Sequence, residues 1–203
     1  MPAAEFFTRL GLFVRKNFLE QELCARCYRE MDEAPPTQAT QATIAGPDGT
    51  DILDEAIRRV TVVDVPDATV ALVEAQMLAL LPALERHFNV TLTGCQPLQF
   101  LTYREGDFYA VHNDSDTGAP GMAGERKVSL VLFLNSPAQQ PADGAYGGGS
   151  LTFYNLIADP QWQTYGFPLN SEAGLLVAFR SDMLHQVLPV THGKRYTIVS
   201  WLF

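Results

Sequence analysis

The chain has 203 residues, 47% of them hydrophobic and 18% charged, which is typical of one globular domain with its own core, here residues 1–203. No apolar run approaches the ~20 residues that cross a bilayer, and the N-terminus lacks a signal-peptide pattern, so we predict a cytoplasmic protein without a membrane partner. The net charge of −9 argues against a nucleic-acid partner, because cationic side chains supply most of that binding.

The N-terminal part predicts an amphipathic helix over residues 18–33, with apolar side chains recurring at helical spacing. Cys24 and Cys27 form a C-x-x-C motif within it, a spacing found in redox and zinc sites. There is no second motif of this kind, and Cys95 is far away in the sequence. We therefore interpret both cysteines as ordinary residues of the helix.

Residues 34–54 are polar and small, with too little apolar surface to pack on their own. The segment is either a surface loop or a mobile lid over a site. The β-branched run 58–65 predicts a strand, and a helix with an apolar stripe from Val70 to Phe88 is expected after Pro66. Pro82 should kink that helix or end it early. We therefore predict helical support and a candidate lid over about residues 1–95, followed by a strand-rich part over about residues 96–203.

Short strands separated by turns are predicted from residue 97 onward. The predicted ranges are 98–103, 108–112, 127–135, 150–154, 174–179, 184–190 and 195–202. Together with the strand near residue 60 they make about eight. Helices followed by many short strands indicate a mainly β fold of two sheets with supporting α-helices.

A metal-ligand pattern lies at the end of the predicted strand 108–112. His112-Asn113-Asp114 is an H-x-D motif, and side chains at i and i+2 of a strand share one face. His185 begins a late apolar strand and offers a third ligand. Two histidines and one carboxylate are the ligand set of non-haem iron(II) oxygenases, while a tetrahedral zinc site with one water is the rival interpretation.

Arg195 stands at the head of the last apolar strand, ten positions after His185. An inward-pointing guanidinium requires an anion and matches a carboxylate bidentately. A dicarboxylate co-substrate meets that need, because one end can chelate the metal while the other reaches the arginine. His192, in a predicted turn, and His87, near a helix end, are interpreted as surface residues.

Residues 98–203 resemble the prolyl-4-hydroxylase-like family of 2-oxoglutarate- and iron(II)-dependent oxygenases. The residues that carry the resemblance are Leu101-Thr102-Tyr103, the H-x-D motif, Gly148-Gly149-Ser150-Leu151, His185 and Gly193-Lys194-Arg195-Tyr196. The resemblance implies a double-stranded β-helix (jelly roll) with iron at its mouth. It implies His112, Asp114 and His185 as iron ligands, and Arg195 on the distal carboxylate of 2-oxoglutarate.

The resemblance also implies roles for three further side chains, and one position departs from the family pattern. Tyr103 resembles the tyrosine that hydrogen-bonds the co-substrate, and Arg126 and Trp201 match positions near the substrate mouth. Phe133 falls where some relatives have a second co-substrate tyrosine, and its lack of a hydroxyl departs from that pattern.

The reaction implied is hydroxylation of an unactivated C–H bond by molecular oxygen, coupled to decarboxylation of 2-oxoglutarate to succinate. Asp114 favours hydroxylation, because related halogenases lack that carboxylate. L-Ascorbate is the expected reductant. The substrate expected by likeness is a peptidyl (prolyl-like) or free amino acid, and a small natural product is the alternative. A non-catalytic jelly-roll sensor of carboxylate or metal is a rival of another class, disfavoured because a pure binder does not need both the triad and Arg195.

Overall fold

Helices lie in the first half of the chain and most strands in the second half. The computed structural model describes residues 3–45, 50–115 and 122–203. The helices of these residues are α1 (Ala3–Arg9), α2 (Gln21–Glu33), α3 (Asp67–Leu78) and α4 (Leu81–Phe88). The strands of the same residues are β1 (Leu12–Arg15), β2 (Ala39–Gln41), β3 (Ile44–Ala45), β4 (Asp51–Ile52), β5 (Arg58–Arg59), β6 (Thr61–Val63), β7 (Gln99–Tyr103), β8 (Phe108–His112), β9 (Val128–Phe133), β10 (Tyr146–Gly148), β11 (Leu151–Phe153), β12 (Phe167–Pro168), β13 (Leu176–Arg180), β14 (His185–Val187), β15 (Val190–Gly193) and β16 (Arg195–Leu202).

Two antiparallel sheets form the body of the molecule. The larger has the strand order β1-β13-β9-β16-β7-β6-β2, and the smaller has the order β12-β11-β14-β8-β5. Between them lies an apolar core that includes Tyr103, Phe133 and Phe179 of the large sheet and Leu151 and Phe153 of the small sheet. The predicted mainly β, double-stranded β-helix fold is confirmed by this architecture.

The helices cover the outer face of the large sheet. Cys24, Cys27 and Met31 recur on one face of α2 and are buried in a second core, which also contains Val73 of α3 and Leu84 of α4. The same core includes large-sheet residues such as Ile198 of β16, so the helices pack directly behind the strand that begins with Arg195.

The predicted helices are found with shifted ends. Helix α2 begins three residues later than expected, because the backbone N–H groups of Phe18 and Leu19 donate to Gly174 instead of continuing a helix. The chain after Pro66 is interrupted as expected: α3 ends at Leu78 and α4 carries Pro82 in its first turn, where a missing N–H is tolerated. No single helix of the described residues is long and apolar enough to cross a membrane, and the bent α3–α4 pair meets that test only as a pair, on length and composition.

The single strands predicted over 58–65 and 184–190 are each divided. The first divides at Val60, where the chain passes from the small sheet (β5) to the large sheet (β6). The second divides at Leu188 and Pro189, because β14 belongs to the small sheet and β15 pairs with β10. Periodicity along the chain does not report such a change of partner.

The segment 34–54 contains more regular structure than its composition indicates. Strand β2 pairs with β6 at the edge of the large sheet, and the buried Ala42 joins the core between the sheets. The prediction of a loop over the whole segment is therefore wrong for Ala39–Gln41, and also for the short paired strands Ile44–Ala45 and Asp51–Ile52. Residues 46–49 lie outside the described residues, so a lid at that point stays a prediction.

The C-x-x-C motif is part of the helical core, as interpreted from the sequence. Cys24 and Cys27 are free, buried thiols, and burial raises the pKa of Cys24 to about 11 and that of Cys27 to about 12. Because the thiolate is the reactive form, we expect both to alkylate far more slowly at pH 8 than in the urea-unfolded chain. Peptide mass spectrometry after iodoacetamide treatment measures this. A Cys24–Cys27 disulfide in the native protein would contradict the prediction.

Candidate active site

The two histidine candidates, His112 and His185, are positioned by an irregularity in the small sheet. Strand β14 pairs with β8 so that His185 faces His112 and Val187 faces Tyr109, which leaves one extra residue on β8 between these pairs. Such a β-bulge turns the side chains that follow it. It brings Tyr109 and His112, three residues apart, onto the same side of the strand, where their rings stack.

Both histidines turn Nδ1 towards a backbone carbonyl and Nε2 towards Asp114. His112 Nδ1 lies 2.8 Å from the carbonyl of Ala110, and His185 Nδ1 lies 2.9 Å from that of Met183. A carbonyl only accepts, so Nδ1 carries a hydrogen in each ring, and Nε2 is the nitrogen that offers a lone pair in the neutral form of each imidazole. This arrangement is typical of metal-binding histidines, whose second nitrogen is held by a carbonyl or carboxylate.

Asp114 completes the cluster. Its two carboxylate oxygens lie 3.5 Å from His112 Nε2 and 3.6 Å from His185 Nε2. The three candidate ligand atoms lie within 4.8 Å of one another, and no second cluster of this kind occurs among the described residues. The structure therefore brings together the three residues that the sequence predicted as metal ligands.

The charges of the cluster suit a divalent cation. Burial opposes the charge of Asp114, but the His185 and His112 imidazoles and the Ser129 hydroxyl lower its pKa below the usual range, so the carboxylate is ionised. Burial lowers the pKa of His185 to about 4, against the opposing effect of Asp114, so this imidazole is neutral near pH 7. An anionic carboxylate and neutral imidazoles are the forms that coordinate a metal ion.

Backbone contacts also fix Asp114, which follows the end of β8. Its N–H donates to Ser181 O over 2.8 Å, and its carbonyl accepts from Arg126 Nη1 over 3.2 Å. The Ser181 hydroxyl in turn hydrogen-bonds Ser129 of β9 over 3.0 Å. Asp114 is thus held by two other segments of the chain, one at Ser181 and one at Arg126.

Arg195 is almost fully enclosed in the core between the sheets, with 1% of its surface exposed. Its Nη1 donates to Thr197 Oγ1 over 3.3 Å, while Nε and Nη2 have no hydrogen-bond partner among the described residues. A buried guanidinium with orphaned donors is costly unless an anion completes it. Arg195 therefore fits the carboxylate for which the sequence predicted it.

The surroundings of Arg195 define a narrow site. The guanidinium carbon lies 4.9 Å from the Tyr103 ring centre and 5.1 Å from that of Phe133. Burial raises the pKa of Tyr103, so its phenol keeps the proton and can donate a hydrogen bond. A Cβ on Gly149 would lie only 2.9 Å from Arg195 Cδ, which explains a glycine at that position. Thr197, on the same strand face two residues along, was not identified from the sequence.

Arg126 and Trp201, expected near the substrate mouth, lie together. The Arg126 guanidinium sits 3.9 Å from the Trp201 ring centre, and the same side chain contacts the Asp114 carbonyl. Arg58 was not identified from the sequence. Its guanidinium lies 4.8 Å from the Tyr109 ring centre and so adjoins the ring that stacks on His112. His87 and His192 stay outside the cluster; both are half-buried rather than exposed, with His87 packed against Phe13 and Phe88.

A jelly roll that holds a His–Asp–His centre and a buried arginine in one barrel defines the class of non-haem iron oxygenases. Residues 98–203 match the family model described as the 2OG-Fe(II) oxygenase superfamily. The chain belongs to that superfamily. The family implies iron(II) and 2-oxoglutarate, and the described cluster and Arg195 fit both.

The sequence similarity to known relatives extends over only part of each relative's length. A PKHD-type hydroxylase of Hyphomonas neptunium is 33% identical over 129 residues, which is 61% of this chain and 51% of that protein. A PKHD-type hydroxylase of Picosynechococcus sp. is 37% identical over 106 residues, 52% of this chain and 41% of that protein. The chain thus spans about half the length of the first of these relatives, and less of the second.

Solved structures share the fold over nearly the whole chain. A prolyl-4-hydroxylase of Pseudomonas putida has a TM-score of 0.65 and 24% identity, covering 95% of this chain and 91% of that one. A prolyl hydroxylase of Trichoplax adhaerens, in complex with a hypoxia inducible factor peptide fragment, has a TM-score of 0.73 and 17% identity, covering 98% and 86%. At these identities the likeness shows the fold.

Proposed function

We propose that this chain is a 2-oxoglutarate- and iron(II)-dependent dioxygenase that hydroxylates an unactivated C–H bond and converts 2-oxoglutarate to succinate. The observation that carries the proposal is the presence, in one barrel, of a three-ligand metal cluster and a buried arginine with orphaned donors. A sensor that binds only a metal ion or only a carboxylate would need just one of these two features. We also assign residues 1–203 to one oxygenase domain, because α2, α3 and α4 pack behind the sheet that carries Arg195.

Each described side chain has a distinct task in this proposal. His112, Asp114 and His185 hold iron(II), and three protein ligands leave positions for small molecules on the metal. Arg195 binds the distal carboxylate of 2-oxoglutarate, with Thr197 and Tyr103 as neutral hydrogen-bond donors beside it. When bound, iron(II) and 2-oxoglutarate supply the oxygen-activating chemistry that amino-acid side chains lack. The enclosed apolar walls, Phe133 among them, exclude water from the co-substrate.

A peptidyl, prolyl-like residue or a free amino acid is the proposed substrate, and a small natural product is the alternative. Support comes from the PKHD-type hydroxylases among the relatives and from the peptide complex among the structural matches. Arg126 and Trp201 are proposed to face the substrate at the mouth. L-Ascorbate is the proposed reductant for iron that has been oxidised without product formation.

The class of reaction is tested by supplying iron(II), 2-oxoglutarate, ascorbate and oxygen to the purified protein. We expect slow succinate release with matching oxygen consumption, which a peptide or metabolite that is a true substrate accelerates. Mass spectrometry should then find one added oxygen atom on that substrate. Absence of succinate with iron bound would favour the sensor, and a preference for zinc that excludes iron would favour the rival metal.

A further inference from the structure

Gln96 is a buried polar side chain just before β7, with 4% of its surface exposed. Its Oε1 accepts two hydrogen bonds from one guanidinium, 3.0 Å from Arg126 Nε and 2.8 Å from Arg126 Nη2. This pair of bonds directs the Nε–Nη2 edge of the guanidinium towards Gln96, because two donors of a rigid fork meet a single acceptor.

The backbone of Gln96 is independently anchored to the last strand. Its N–H donates to Trp201 O over 2.8 Å, and the Ser200 hydroxyl donates to Gln96 O over 2.7 Å. The amide side chain therefore projects from a backbone position that is hydrogen-bonded to β16. The anchors involve only main-chain atoms of Gln96, so they persist when its side chain is changed.

Among the described residues, the oriented guanidinium contacts Trp201 and Asp114. One face lies over Trp201 at 3.9 Å from the ring centre, and Nη1 donates to the carbonyl of Asp114. Gln96 accepts hydrogen bonds from Nε and Nη2 of Arg126. The third nitrogen, Nη1, therefore points towards Asp114. A change in the rotation of the guanidinium would move both contacts together.

We propose that Gln96 is a positioning residue of this site: it fixes Arg126, and Arg126 in turn fixes the backbone of the metal ligand Asp114 and the Trp201 face of the mouth. The inference rests on the proposed function for the role of Asp114 as a ligand. Groups that only support a metal ligand commonly change metal affinity or activity by roughly 10- to 100-fold when removed. We place Gln96 among such groups.

The test uses the full chain loaded with cobalt(II), whose visible absorption reports ligand geometry, and then with iron(II). Gln96→Leu keeps the approximate size but removes the acceptor; we expect roughly tenfold weaker metal binding and an altered cobalt spectrum. Gln96→Glu keeps an acceptor for both nitrogens and should restore the wild-type spectrum. Gln161→Leu makes the same exchange at an exposed glutamine, which bonds Asp159 rather than Arg126, and should leave the spectrum unchanged.

A double-variant cycle separates positioning from general stability. If Gln96 acts through Arg126, the Gln96→Leu change should cause no further loss of metal affinity in a protein that already carries Arg126→Ala. Additive losses, or a wild-type spectrum in folded Gln96→Leu, would overturn the inference. Cobalt binding requires no turnover, so a protein that releases no succinate but shows these differences would refute the proposed reaction and leave the positioning role standing.

Discussion

The Asp114→Ala variant is expected to lose iron(II) binding and all turnover of 2-oxoglutarate while it remains folded. Each carboxylate oxygen lies close to one of the two Nε2 atoms, and the substitution removes the only negative charge contributed by the described cluster. Because loss of residues that merely support a ligand costs roughly 10- to 100-fold, loss of the ligand should weaken iron affinity by more than about 100-fold. Anaerobic iron titration and succinate release measure the two effects, and thermal unfolding reports the fold.

Substitutions at the histidines define the control. His185→Ala and His112→Ala should behave like Asp114→Ala, because each removes an Nε2 ligand. His192→Ala should bind iron normally, since His192 lies on β15, outside the cluster. Loss of iron in the His192 variant with retention in the His185 variant would show that the third ligand has been misassigned.

The candidate metal ligands were predictable from the sequence because their signal is local. His112 and Asp114 are two positions apart at a strand end, and His185 begins a strand of its own. The structure refines the reason: β8 ends at His112, and Asp114 is held by Ser181 and Arg126 rather than by strand geometry. The outcome of the same-face argument was right, although the contacts that enforce it come from remote segments.

Other features depend on contacts between distant residues and gave no sequence signal. The bulge that turns His112 becomes visible only when β8 is paired with β14. Gln96 and Arg126 are thirty positions apart, and nothing in either neighbourhood indicates that they bond. The polar run Ala39–Gln41 becomes a strand because β6 offers it an edge, so tertiary pairing outweighs its weak intrinsic preference.

The Arg195→Lys variant is expected to bind iron(II) normally and 2-oxoglutarate poorly. Lysine keeps the positive charge but replaces a planar fork by a single ammonium group. The orphaned Nε and Nη2 of Arg195 lie in a buried site, where a hydrogen bond to a charged group contributes about 1.5–3 kcal/mol. Losing one such bond should raise the apparent dissociation constant of 2-oxoglutarate by roughly 10- to 100-fold.

A titration of 2-oxoglutarate into the iron-loaded protein without oxygen measures this effect apart from turnover. Tyr103→Phe serves as the graded comparison: it removes one neutral hydroxyl from the same wall, and a neutral hydrogen bond contributes only about 0.5–1.5 kcal/mol. Its affinity for 2-oxoglutarate should therefore fall less than that of Arg195→Lys, with iron binding unchanged in both. Arg195 begins β16 and pairs opposite Tyr103, so damage to the fold would weaken iron and co-substrate binding together. Such parallel losses would assign Arg195 to the stability of the barrel, whereas a selective loss of 2-oxoglutarate affinity would assign it to the co-substrate.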